Sequence, residues 1–420
     1  MMMHRKDMNV SAVLVTSSIL GAIVLPALPI GSISVRLADL VVLGVLPFIL
    51  VLQGRSLNVP PLRILFFAWI AMVASTMFGY LSLGVPVSNR DINELLRMAI
   101  PWMLLAFCVT VDHVRLRRAI ELVLLISAPF VIAFSLSQFI FPLHLPELLL
   151  EAYGAPGHVE RIITRPFPRI IATGTDPNIG ATILLLYFYY FAVRGYIRRK
   201  LFDMAIAIVF LSLIGMAASR TVVLSLALGV SATIFLARNV GLREKALVLV
   251  VALLSAALAW LLVDYVRIGF QTLLQGENSS VNVRISRFEE AFQLFSVSPI
   301  FGWGPAKAVH PTVVDGEYAL LLRRYGLVGT GLVVTFLITA TLRVFRSVRT
   351  NWRRWEASDK TLGALFVYFS ASMLVVMITN NFLSGYQLAV PYVVLLGFHE
   401  AKTGGRPAAN WQEKESLNAL

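Results

Sequence analysis

Charge is what this sequence has least of. Only 14% of its 420 residues are Asp, Glu, Lys or Arg, 58% are hydrophobic, and the mean hydropathy is +0.78. A water-soluble domain of that length needs far more polar surface, so a soluble globular fold is excluded and a polytopic helical membrane protein is expected. Cysteine is nearly missing: Cys108 stands alone inside an apolar run, so no disulfide forms within the chain and the redox compartment is not legible. Neither CxxC nor HExxH occurs, which leaves a zinc site without a ligand set. Internal repeats and low-complexity tracts are absent too, and with them the usual signature of an inverted-repeat transporter.

What is present is a succession of apolar runs. Segments of spanning length fall at about 9–31, 36–52, 62–84, 95–111, 116–141, 178–194, 202–218, 220–237, 245–265, 317–342, 361–382 and 386–401, roughly twelve in all. The first is too long for a cleaved signal peptide. No connection between runs is long enough for a soluble domain, so 1–420 reads as a single transmembrane domain. Within it lie two long outer connections (142–177 and 266–316), a core block of spans (178–265) and a tail (403–420).

Basic residues give the orientation. With the N-terminus, carrying Arg5 and Lys6, placed in the cytoplasm and the spans alternating, every inside connection is basic and together they hold 23 of the 36 Lys and Arg. Both termini are then cytoplasmic. The formal charge of +13 reports this orientation rather than an affinity for nucleic acid.

Of the 13 remaining basic residues, eight stand in outward connections, against that rule. The first long outer connection carries Arg161, Arg165 and Arg169; the second carries Arg267, Arg284, Arg287 and Lys307; Arg220 stands at the tight outer turn "AASRTVV". Arg284 and Arg287 are one helical turn apart, on one face. Ordinary ion pairing is one reading, because Glu147, Glu151, Glu160, Asp176 and Glu277 share those connections; Arg220 has no neighbouring acid. The other reading is a ligand. Guanidinium groups present a fixed fork of donors suited to phosphate oxygens, and several of them at a membrane's outer surface suit a lipid-linked phosphate or diphosphate.

At these positions the sequence resembles the O-antigen ligase and polymerase superfamily. "SRTVVLSLALG" is similar to the Ser-Arg that opens its core segment. Arg284, Pro299, Gly302 and Gly304 fit the following arginine, proline and Gly-x-Gly, and "DGEYALLLRRYGLVG" matches with Tyr318, Gly326 and Gly329. Upstream, Arg169, Asp176, Pro177 and Asn178 in "RIIATGTDPNIGA" resemble its arginine followed by Asp-Pro-Asn. The resemblance covers most of 160–400. It implies an architecture like that of the GT-C glycosyltransferases and a multi-pass protein of the bacterial inner membrane. The implied reaction is metal-independent glycosyl transfer from undecaprenyl-diphosphate-linked oligosaccharide, with no cofactor, with membrane lipid around it and a chain-length regulator as a further partner. Where the ligases carry a catalytic histidine this chain has Asp315, and polymerases of the superfamily often have aspartate there. The resemblance therefore points to a polymerase of O-antigen or exopolysaccharide.

Such a reaction must stabilise the leaving diphosphate and take a proton from the acceptor hydroxyl. Arg220 and Arg284 are the first candidates for the diphosphate, then Arg169, Arg165 and Arg287. No DxD-like metal site stands in the outer connections, so arginines are expected to do a metal's work. Asp315 or Glu317 is the candidate base, although Asp315 also fits a helix N-cap and Glu317 suits the first turn of a helix regardless of function. His310 is either a base or a solvated loop residue. Asp176 reads as a cap with Pro177 at the first helical position. Gly302 and Gly304 read as permitting a tight turn, and Trp303 and Tyr318 as sugar contacts. "LYFYYF" at 186–191 reads as helix packing or an interfacial belt. The pair Arg323–Arg324, two turns into a span, implies either a later helix start or a lining for the substrate chamber. Two rivals remain: a ligase that transfers the glycan to lipid A core or protein, and a lipid or sugar transporter.

Overall fold

The computed structural model describes residues 3–26, 28–30, 33–44, 59–140, 153, 169–236, 279–311, 314–383 and 387–404. The expected span at 245–265, the part of that at 36–52 beyond residue 44, the tail beyond 404 and Arg165 lie outside these residues.

The helices are α1 (Met3–Ile23), α2 (Pro60–Leu83), α3 (Asn89–Thr110), α4 (His113–Ile140), α5 (Pro177–Arg198) and α6 (Leu201–Ala217). They are followed by α7 (Arg220–Leu236), α8 (Ser279–Val297), α9 (Glu317–Asn351), α10 (Ala357–Thr379) and α11 (Ala389–Gly404). One antiparallel hairpin, β1 (Leu28–Ile30) with β2 (Ile33–Val35), accompanies them. Among the described residues six helices are long and apolar enough to cross a membrane: α2, α3, α4, α5, α9 and α10. Two shorter apolar helices, Val13–Ile23 and Leu201–Ala217, join them. The protein is a helical membrane protein.

Local chemistry sets the helix starts. Pro60 and Pro61 open α2, where a missing N–H has no helical partner to lose. Ser88 and Asp91 form a reciprocal capping box on α3. Asp176 accepts the N–H groups of Asn178 and Ile179 ahead of Pro177, as the sequence predicts. The aromatic run 186–191 is packing rather than surface. Tyr187, Tyr189, Tyr190 and Phe191 are buried, the Tyr187 hydroxyl meets Ser127 Oγ at 2.6 Å, and Tyr189 meets Ser372 Oγ at 2.8 Å.

Ion pairs sort towards two ends of the bundle, as alternating helices require. At one end Arg117 meets Glu356 and Asp359, Arg198 meets Glu121, and Arg343 meets Glu400. The other end holds the starts of α3, α5, α7 and α9 and the segment 298–317.

There α9 is broken. Gly326 has φ 57° and ψ −160°, which cannot continue an α-helix. Backbone polar groups freed inside a membrane must find partners. The turn at 299–304 supplies them on both sides of the break. Trp303 and Gly304 donate their N–H groups to the carbonyls of Arg323 (3.2 Å) and Arg324 (2.7 Å). Leu327 and Val328 donate theirs to Pro299 (2.8 Å) and Ile300 (3.2 Å). Glycine is required on both partners of this contact. A Cβ at Gly302 (φ 71°) would lie 2.5 Å from the Arg324 carbonyl, and one at Gly326 would lie 2.3 Å from the Ile300 oxygen. The Pro…Gly-x-Gly and the Gly-x-x-Gly of the sequence are thus two halves of one backbone joint.

Candidate functional site

The site begins with α8, a helix inside what the sequence presents as a long connection. Arg284, Phe288 and Ala291 lie at spacings of four and three, so they share a face, with Arg287 beside them. Ala291 packs with Val314 and Leu320, Phe288 against that cluster, and this docking sets the face over the start of α9. Arg287 Nη1 is 3.2 Å from Asp315 Oδ2, and Arg284 Nε is 3.8 Å from the same oxygen. All three side chains are partly exposed. Two guanidiniums share one carboxylate, leaving one net positive charge, and the buried Arg284 Nε–H reaches no acceptor among the described residues. The Nε–H groups of Arg194 and Arg324 are in the same state, so what sets this cluster apart is the sharing of one partly exposed carboxylate by two guanidiniums.

Asp315 is not the helix cap. That position is Gly316, at φ 155° and without a side-chain cap bond, whose N–H goes to Val314 O (3.0 Å) and Asn381 Oδ1 (3.4 Å). The arginines hold the carboxylate instead. Glu317 does stand in the first helical turn, but it is fully buried and its Oε2 accepts the Leu383 N–H at 3.0 Å, which ties the 380–383 segment to α9. Tyr318 donates its hydroxyl to Leu374 O at 3.0 Å. Trp303 donates Nε1–H to Leu294 O at 2.7 Å and meets the His310 ring edge-on, with centroids 5.1 Å apart. His310 Nε2 is buried and meets no partner among the described residues. Burial and then the nearby Arg323 guanidinium hold this imidazole below its ordinary range, with Glu290 opposing them.

A second basic group lies at the α6–α7 turn. Arg169 donates Nε–H to Ala217 O (3.1 Å) and Nη2–H to Ala218 O (3.2 Å), capping the carbonyl end of α6. Arg220 is half-buried at the first position of α7, and Ser219 before it donates to Asn178 Oδ1 at 2.8 Å. The two groups are joined through the end of α10. Thr221 meets Thr379 (2.7 Å), Asn380 O accepts the Glu317 N–H (3.3 Å), and Asn381 reaches Gly316, the neighbour of Asp315.

Arg323 and Arg324 are placed differently from either expectation. The helix starts at Glu317, as drawn, and both arginines are buried, at 1% and 6% exposure, rather than lining an open chamber. Arg324 Nη1 meets Glu94 Oε1 of α3 at 2.6 Å, Lys307 Nζ meets Glu94 Oε2 at 2.7 Å, and the Tyr325 hydroxyl donates to Glu94 at 2.9 Å. The Lys307 N–H adds a bond to Asp91 Oδ1 at 2.9 Å. Sequence reasoning passed over Glu94 and the Asn380–Asn381 pair. Glu94 stands one residue outside the span expected at 95–111 and so gave no signal, whereas two amides at the end of the span 361–382 need partners.

No family model matches this chain, and no curated protein matches it.

Proposed function

We propose that this protein is an inner-membrane glycosyltransferase that polymerises undecaprenyl-diphosphate-linked oligosaccharide units of O-antigen or exopolysaccharide at the periplasmic face. The proposal takes the chain as about twelve spans in a GT-C-like arrangement with both termini in the cytoplasm. The observation that carries it is the Arg284–Arg287–Asp315 cluster, in which two partly exposed cations share one anion.

In this reading diphosphate oxygens take the places on Arg284 and Arg287 that Asp315 now holds in part. As the bond between the donor sugar's anomeric carbon and the diphosphate breaks, the fixed guanidinium forks stabilise the charge gathering on the leaving group. The acceptor hydroxyl bonds to that carbon and its proton passes to Asp315, freed from the arginines by the arriving phosphate. Undecaprenyl diphosphate leaves, and no cofactor takes part. Arg220, whose neighbour Thr221 meets Thr379, would meet the diphosphate of the second lipid-linked unit.

One observation favours the ligase reading: the Nε2 of His310 beside Trp303, which meets no partner among the described residues, offers another base. Gene deletion followed by electrophoresis of surface glycan separates the two. Loss of a polymerase leaves single repeat units attached, whereas loss of a ligase leaves long chains unattached. Stranding of the units in the cytoplasm would point to a transporter and sink both.

A further inference from the structure

At the end of the bundle away from Asp315, the α5–α6 turn and the α9–α10 connection border an open cavity of about 510 Å³, a size usual for small-ligand sites. Its lining includes Tyr196, Arg199, Met204, Trp352 and Lys360. Both charges among the lining residues are positive. The acids close by in the chain are engaged elsewhere: Asp203 with Arg194, Glu356 with Arg117, and Asp359 with Arg117 and Lys402. Lys200, Arg353 and Arg354 are exposed around it and add to the positive field. Arg199 adopts φ 52° and ψ 39°, a left-handed C-cap conformation in which glycine is usual and an arginine is strained. Lys360 Nζ stands 5.9 Å from the centre of the Trp352 ring, a cation–aromatic pair suited to the membrane interface.

Beside its two cations the lining is largely apolar, Leu201 included, and the apolar surface continues past it. Leu201 is 83% exposed, Phe202 74% and Ile208 64%. Leu201, Met204 and Ile208 follow one another at spacings of three and four, so they form a stripe on α6 that leads from the cavity along the bundle. A soluble anion would use the charges and leave the stripe idle. An amphiphile uses both.

We infer that this cavity binds the headgroup of an anionic phospholipid, its phosphate on Arg199 and Lys360 and one acyl chain along Leu201, Met204 and Ile208. The site is independent of the chemistry at the opposite end. Basic pockets between membrane helices recognise such headgroups through charge, and interfacial aromatics set their depth.

Native mass spectrometry of the full chain purified in detergent tests this, with dioleoyl-phosphatidylglycerol, dioleoyl-phosphatidylcholine and inorganic phosphate as probes. Phosphatidylglycerol should be retained at least tenfold over phosphatidylcholine, and phosphate at equal concentration should not displace it. Arg199→Gln with Lys360→Gln should abolish the preference while unfolding at the parent temperature. Arg349→Gln, at an exposed position outside the cavity, should preserve it. Equal retention of both lipids, or no loss in the double variant, overturns the inference. So does displacement by phosphate, or an equal loss in Arg349→Gln, which would assign the effect to the general charge of that face.

Discussion

Arg324 and Glu94 meet inside the bundle at 2.6 Å although 230 residues separate them in the chain. Each is almost wholly buried, and Lys307 and Tyr325 complete the carboxylate's shell. The pair fastens α3 to the broken part of α9 and holds the 303–310 segment between them.

Removing one partner of a buried pair leaves an uncompensated charge, which costs about 3–5 kcal/mol. Glu94→Gln is therefore expected to unfold at a markedly lower temperature in detergent. Glu94→Gln combined with Arg324→Met should recover part of the loss, because the stranded cation is gone. If the single variant matches the parent, the pair does not hold the joint.

The joint itself gives a second prediction. Gly326→Ala forces a side chain into φ 57° and against the Ile300 oxygen, and strain of that kind costs on the order of 1–3 kcal/mol. Gly331, five residues on, has open space around its Cβ position, and alanine there should be neutral or stabilising by a few tenths to about 1 kcal/mol. Thermal unfolding of the two variants side by side checks the contrast. Equal effects would mean that the break at Gly326 is not needed.

His310 carries a pH prediction. Its folded-state value lies below the ordinary 6.5, so folding favours the neutral ring. The stability this provides is present above the unfolded value and is lost as pH falls from 6.5 towards the folded one. The parent should therefore lose more thermal stability between pH 7.5 and 5.5 than His310→Gln does. Parallel curves would mean that the ring titrates freely.

How far the sequence foretold this depends on which residues are asked. Long apolar runs with cap signals were legible, so α2, α3, α5, α9 and α10 stand close to where periodicity and composition put them, and Asp176–Pro177 starts α5 as expected. Arg284 and Arg287 were legible as a pair because helical spacing fixes neighbours on one face. Their sharing of Asp315 was not, since it depends on how α8 docks through Phe288 and Ala291. The role of Asp315 was ambiguous for the same reason: an aspartate before a helix looks like a cap until something nearer claims it. Gly326 looked like part of a motif and proved to be a break, because a helix interrupted by a distant turn leaves no local signal. Glu94 went unread because its three partners are remote in sequence.

The two roles at the site separate by kinetics. Under the proposed function Arg284→Ala would remove a charge stabiliser of the transition state, and the polymerisation rate should fall about 10²–10³-fold. Lysine should rescue only in part, because its ammonium lacks the planar fork. Asp315→Asn should lower the rate while leaving diphosphate affinity unchanged or raised, since it removes the anion that competes for the arginines. A rate unaffected by Asp315→Asn would move the base elsewhere, with His310 next in line.

Binding of undecaprenyl diphosphate to the purified protein tests the central claim most directly. The account predicts saturable binding to the parent, at least tenfold weaker binding to Arg284→Ala and to Arg287→Ala, and undiminished binding to Asp315→Asn. Parent-like affinity in both arginine variants would contradict it.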